Sequence, residues 1–263
     1  MDVTPDAPVL LFDSGFGGLT VLTQLRAILP DAPILYAADL AGLPYGEKSE
    51  AEIAARVSGL LGRMAERYRP RLICIACNTA STIALGMVRD VLETPVVGTV
   101  PAIKPAAEQS RSGVIGLLGT NATIRQRYVD ELERDFAGNA RLVRHGAPAL
   151  VHLAEAKLRG EATDLDKIAV ATRELREAGG DSMDTVVLAC THFPLLSREL
   201  AEVFGPQVTL LDGATGIARQ VARVTRGQPF QRSAADRAIV TGNLPSLPLS
   251  VLRPWGLEGI ERF

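Results

Sequence analysis

Leu72-Ile73-Cys74-Ile75-Ala76-Cys77 runs into Asn78-Thr79, and Val186-Val187-Leu188-Ala189-Cys190 runs into Thr191-His192. Each is a short apolar run, rich in β-branched residues and closed by polar ones. That is the pattern of a strand buried on both faces of a parallel sheet and emerging into a polar loop. A thiol at the C-terminal mouth of such a strand, with a helix N-terminus beyond it, sits where a thiolate is most readily stabilised. Two thiols so placed suggest a site with one acid/base group on each side of a substrate.

Upstream of each cysteine another apolar run ends in a small polar loop. Val9-Leu10-Leu11-Phe12 leads into Asp13-Ser14-Gly15, and Val114-Ile115-Gly116-Leu117-Leu118 leads into Gly119-Thr120. Downstream, Pro95-Val96-Val97 and Val208-Thr209-Leu210-Leu211 occupy matching places. The echo predicts an internal pseudo-repeat, two α/β lobes facing one cleft. Further strands are expected near 33–38, 141–144 and 238–241. Helices are expected near 18–29, 49–67, 121–136, 149–158, 164–178, 195–204 and 214–225. This alternation points to parallel sheets flanked by helices. Ser49 is placed to cap the helix at the Glu52 amide.

A chain of 263 residues, 47% hydrophobic and 22% charged, is long enough for one large domain or two modest ones. A formal charge of −2 gives no electrostatic footprint for nucleic acid or a membrane surface. Three cysteines form an odd set without framework spacing, so reduced thiols and a cytoplasmic setting are expected. Met1-Asp2-Val3-Thr4 lacks a basic region leading into an apolar stretch, so no secretion signal is expected. No apolar run approaches the roughly 18 residues of a membrane span.

Asp13-Ser14-Gly15-Phe16-Gly17-Gly18 closes one strand and opens a helix. Its glycines would let backbone N–H groups approach an anion at the helix N-terminus. Thr20 stands where a dinucleotide fingerprint needs its last glycine, and no phosphate-binding P-loop occurs. Cys74 and Cys77 have redox or zinc spacing, but positions three apart on a strand point to opposite faces. Cys74 is therefore read as a core residue, and no metal site is expected. His192 is placed to tune Cys190 or move a proton, whereas His145 and His152 are read as structural. The four lysines lack the setting of a pyridoxal Schiff base, so no cofactor is expected.

Asp13-Ser14-Gly15-Phe16-Gly17-Gly18, Pro44-Tyr45-Gly46, Ala76-Cys77-Asn78-Thr79-Ala80-Ser81 and Ala189-Cys190-Thr191-His192-Phe193-Pro194 together resemble the cofactor-independent glutamate racemases of the aspartate/glutamate racemase superfamily. The resemblance implies that Cys77 and Cys190 are the two acid/base thiols, and that Asp13 and His192 are their proton partners. It implies that Ser14, Tyr45, Gly46, Asn78, Thr79, Thr191 and His192, with Asp13, hold the amino acid. Thr120 and Thr123 match the pair of hydroxyls near the substrate carboxylate, and Glu155 matches an acidic residue assisting the Cys190 side. It also implies two similar lobes, 1–99 with 210–263 and 100–209, with the site between them. Glutamate would be the small-molecule partner, a homodimer is compatible with the family, and the product would be D-glutamate for bacterial peptidoglycan. Gly119, Ala147, Ala189, Phe193 and Gly213 depart from the family pattern without removing an acid/base group.

Two other readings stay open from sequence. A relative acting on aspartate or a hydantoin would keep both thiols, although Pro44-Tyr45-Gly46 favours the glutamate branch. A two-lobed binding protein would need no paired thiols at all.

Overall fold

The computed structural model describes residues 3–244 and 247–263. Ten strands are described: β1 Val9–Asp13, β2 Ile34–Ala38, β3 Leu72–Ile75, β4 Val96–Gly98, β5 Val114–Gly119, β6 Arg141–Gly146, β7 Thr185–Ala189, β8 Thr209–Asp212, β9 Asp236–Val240 and β10 Leu257–Arg262. They form a six-stranded sheet in the order β10-β9-β2-β1-β3-β4 and a four-stranded sheet in the order β6-β5-β7-β8. Every pairing is parallel.

The segments β2-β1-β3-β4 and β6-β5-β7-β8 have the same internal order, so the sequence echo corresponds to a repeated βα arrangement. In each, the chain steps to one side of its first strand and then to the other. A crevice opens at the C-terminal ends of the two strands flanking that reversal. Asp13 ends β1 and Cys77 lies just past β3; Thr120 follows β5 and Cys190 follows β7. The four loops singled out in the sequence thus occupy equivalent positions in the two sheets.

Alternation along β1 and β3 divides the first core into two layers. Val9, Leu11, Leu72 and Cys74 pack on one face, and Leu10, Phe12, Ile73, Ile75 and Cys77 on the other. Cys74 is therefore a core thiol pointing away from Cys77, as the strand period requires. The helix Glu50–Tyr68 is capped by Ser49, whose hydroxyl accepts the Glu52 N–H at 3.2 Å.

Several elements differ from expectation. The helix expected over 121–136 is broken into Asn121–Ile124 and Arg127–Phe136, because Thr120 and Gln126 each begin a separate helix. The one expected over 164–178 is split at Thr172 into Leu165–Ala171 and Arg173–Gly179. Helix Ile103–Gln109 and strand β10 were not anticipated. β10 joins the sheet only through β9, and its exposed charged residues mask the strand pattern. The lobe boundary expected at 209/210 falls inside β8, which pairs with β7, so the second sheet extends to Asp212.

Candidate active site

Helix Asn78–Val91 starts directly after Cys77, which occupies its N-cap position. The Cys77 thiol bonds to Ser14 Oγ at 3.6 Å. Burial pushes this thiol up, reinforced by the Asp13 charge; the Ala80 N–H and the Ser14 hydroxyl oppose the shift. The positive end of the helix acts in the same opposing sense.

Around Cys190 the groups form a line. Cys190 Sγ lies 3.9 Å from His192 Nδ1, and His192 Nε2 lies 2.8 Å from Glu155 Oε1. The same carboxylate oxygen accepts the Phe16 N–H at 3.0 Å. Burial alone would lower the His192 imidazole, but the bonds to Cys190 and Glu155 outweigh it and hold the ring well above its ordinary value. Glu155 answers in kind: burial works to raise it, yet His192 and the Phe16 amide keep it below the usual carboxylate range. The pair is thus imidazolium against carboxylate, with the positive ring facing the thiol.

Asp13 is fully buried. Its carboxylate accepts the Ser14 N–H at 2.8 Å, the Gly18 N–H and, at 3.3 Å, the Thr191 hydroxyl from the opposite lobe. Burial pushes its carboxyl up, with the His192 charge and the Ser14 and Gly18 amides opposing. Asp13 reaches Cys77 through Ser14, and the sulfur bonds to the Ser14 hydroxyl.

The glycine loop works differently from the anion cradle expected of it. Its amides meet the protein's own carboxylates, Phe16 N–H to Glu155 and Gly18 N–H to Asp13. Its glycines allow the lobes to touch. A Cβ on Gly17 would lie 2.6 Å from the His192 nitrogen, and one on Gly15 would lie 2.7 Å from Glu155 Oε1 and 2.9 Å from His192 Nε2.

Three threonines meet at the other side of the cleft. Thr79 Oγ1 lies 3.0 Å from Thr120 Oγ1 and 3.1 Å from Thr123 Oγ1, and Thr120 and Thr123 are 3.0 Å apart. Ser14, Tyr45, Gly46, Cys77, Asn78, Thr79, Thr120, Cys190, Thr191 and His192 line one cavity of about 10 Å³, room for a single water. Asp13, Glu155 and Thr123 stand behind that lining, each bonded to a residue that forms it. Leu43, Pro44 and Val151 complete the wall. Val151 carries no sequence signal of its own, being one apolar residue on an apolar helix.

The Tyr45 hydroxyl points away from any ligand role and donates to Asp39 Oδ2 at 2.6 Å. Asp39 was not singled out in the sequence. It also accepts bonds from the Arg56 guanidinium and the Thr241 hydroxyl, and so fixes the loop that carries Tyr45 and Gly46. Gly46 in turn abuts Thr120, where a Cβ would meet the Thr120 Cβ at 2.6 Å. Burial would raise the Asp39 carboxyl, but Arg56, Thr241 and Tyr45 together hold it below its usual value. Its stabilisation is therefore present above the ordinary carboxylate range, about 3.9, and is lost as pH falls through the depressed native value. Asp39→Asn leaves the partly exposed Arg56 guanidinium without its charge partner. A loss of about 1.5–3 kcal/mol, the worth of a hydrogen bond to a charged group, or roughly 3–12 °C in Tm at about 2–4 °C per kcal/mol, is expected by calorimetry. A Tm within about 2 °C of the parent would contradict the latch.

Among the departures from the family pattern, Ala147 and Phe193 are buried in the second-lobe core. At Gly119 a methyl would meet Ile124 Cγ2 at 3.1 Å, a contact that a small side-chain adjustment relieves. His145 Nε2 lies 2.9 Å from the Ala171 carbonyl, and His152 is exposed, so both lie apart from the cavity. Among the described residues, no group of three or more His, Cys, Asp or Glu side chains is arranged to hold a metal.

Two similar α/β lobes bring Cys77 and Cys190 to equivalent strand ends beside one polar cavity. The Asp/Glu/hydantoin racemase profile matches residues 20–221, and the chain belongs to that family. It is 60% identical over 261 residues to the glutamate racemase of Sphingopyxis alaskensis, covering 98% of this chain and 97% of that protein. It is 42% identical to the Escherichia coli glutamate racemase, covering 98% and 93%. The crystal structure of the E. coli enzyme with L-glutamate and its activator UDP-MurNAc-Ala superposes with a TM-score of 0.91 at 41% identity, covering 98% of each chain.

Proposed function

We propose that the protein interconverts L- and D-glutamate without a cofactor and supplies D-glutamate for peptidoglycan. The observation that carries this reading is the placement of Cys77 and Cys190 at equivalent strand ends of the two sheets, lining a single cavity. Removing the α-proton from L-glutamate falls to Cys190, whose sulfur lies 3.9 Å from His192 Nδ1. Cys77, kept protonated by its burial, delivers a proton to the other face; for D-glutamate the roles exchange. Asn78, Thr79 and Thr120, with the Ser14 hydroxyl and the backbone N–H groups of Gly46 and Thr191, supply the donors that stabilise charge developing beside the substrate carboxylate. Thr123 orients Thr79 and Thr120, and Tyr45 acts through its anchored loop. Asp13 and Glu155 hold the two ends of the proton system.

A cavity the size of one water cannot take an amino acid, so the lobes part to admit substrate. We take 1–99 with 213–263 and 100–212 as the moving units, the return crossing following Asp212. Closure then excludes water from the carbanion. A cytoplasmic setting is supported by the chemistry, which needs both thiols reduced; Cys74, Cys77 and Cys190 are all free. Among the described residues no helix is long and apolar enough to cross a membrane. Association into a homodimer is supported by the exposed Met87 and Val91 on one helix, and light scattering reads it directly.

The testing experiment is circular dichroism of L-glutamate with the purified protein in EDTA. The signal decays to zero as the racemate forms. A stable signal, with decay on L-aspartate or a hydantoin instead, assigns the protein to the other branch of the family. Iodoacetamide labelling of Cys77 and Cys190 that glutamate fails to block, with no turnover of any amino acid, overturns the enzymatic reading.

A further inference from the structure

We infer that Lys157 is a positioning residue for the Cys190–His192 side of the site, an inference that rests on the two-thiol reading above. Helix Ala149–Leu158 buries Ala154 and Leu158. At about 100° per residue, Glu155 and Lys157 emerge on either side of that buried stripe. Both reach the same short segment. Glu155 holds the His192 ring at 2.8 Å. Lys157 Nζ donates to the Leu195 carbonyl at 2.9 Å and to Glu199 Oε2 at 2.8 Å.

Between these anchors lies the 3-10 turn Phe193–Leu196. Its hydrogen bonds lead straight back to the reacting groups, from the Leu195 N–H to the His192 carbonyl at 3.1 Å and from the Phe193 N–H to the Cys190 carbonyl at 3.1 Å. Pro194 can donate nothing, so the turn has few bonds of its own to set its position. The Glu155 contact orients the imidazole, and Phe193 and Leu196, buried in the second-lobe core, hold the apolar side of the turn. Lys157 supplies the polar tie on its other side, and Glu199 holds the ammonium in place. Charge-assisted bonds to a carbonyl and a carboxylate suit this task. The Lys157 side chain is 34% exposed, so its removal acts on placement more than on the stability of the fold.

The test compares the Lys157→Met variant, which keeps the apolar stem, with Lys157→Arg, which keeps the charge. Iodoacetamide labelling of Cys190 and of Cys77 is followed by mass spectrometry at one pH near neutral, alongside kcat and KM for L-glutamate. For Lys157→Met the Cys190 labelling rate is expected to change about tenfold relative to Cys77, and kcat to fall about tenfold with KM within about twofold, since small misplacements cost up to about 10² in rate. Lys157→Arg restores both to within about threefold. An unchanged Cys190-to-Cys77 labelling ratio in Lys157→Met overturns the inference, as does an equal change at both thiols, which would mark general loosening. If Lys157→Met does not fold, Lys157→Ala, which likewise removes the donor to Leu195, is read in the same way. A parent protein inert on L-glutamate would overturn the proposed substrate instead, and the labelling ratio would still judge Lys157.

Discussion

Cys77→Ala and Cys190→Ala are each expected to reduce racemisation of glutamate by about 10⁴-fold, the upper end of the loss that follows when a positioned proton-transfer group is removed outright. Either variant leaves one face of Cα without its acid or base. The two enantiomers are equally stable in an achiral solvent, so the equilibrium constant is one. It follows that kcat/KM must fall equally in both directions, whichever thiol is lost. Both sulfurs are buried and small, and an alanine at either place keeps the fold, checked by far-ultraviolet circular dichroism. Retention of more than about a hundredth of parental activity in either variant would mean that the missing thiol is not an obligatory acid or base.

His192→Asn and Asp13→Asn come next in size, each lowering kcat by about 10–10⁴-fold. The reasons differ. Asparagine at 192 removes the cation beside Cys190 and leaves Glu155 a buried carboxylate with only the Phe16 amide as its bonded partner. Asparagine at 13 keeps the shape but can no longer accept from Ser14, Gly18 and Thr191 together. The His192 change therefore acts on the proton chemistry of one face, whereas the Asp13 change also loosens the contact between lobes. Stopped-flow or steady-state kinetics on both enantiomers check this, and parental turnover in both variants would remove them from the proton system.

Most of the site could be read from the chain because its residues sit where strands end. Cys77 and Cys190 close apolar β-branched runs, and Asp13, Thr120, Thr191 and His192 follow directly in polar loops. A parallel sheet places such loops at one edge, so local pattern alone brings them together. Repetition of the pattern in the second half fixed the pairing of the lobes, and the observed orders β2-β1-β3-β4 and β6-β5-β7-β8 repeat it. Long-range partners carried no such mark. Asp39 and Arg56 lie apart in sequence, and their pairing through Tyr45 and Thr241 depends on how a helix docks on the sheet. Nothing in the sequence neighbours of Lys157 predicts its bond to Leu195. The glycines of the first loop suggest an anion cradle, whereas the group that approaches them is the other lobe. The breaks at Arg125 and Thr172 were hidden by continuous helical periodicity on either side.

The central claim is that two thiols work on opposite faces of one carbon, and its most direct test is racemisation of L-glutamate in D₂O, stopped early and read by mass spectrometry. If it holds, the α-proton of L-glutamate goes to Cys190, and Cys77, already exchanged with solvent, returns deuterium to the other face. Newly formed D-glutamate should therefore carry deuterium at Cα from the first turnover, while the remaining L-glutamate stays almost unlabelled. Deuterium entering the remaining L-glutamate as fast as D-glutamate forms would mean that a single base serves both faces, and would contradict the account.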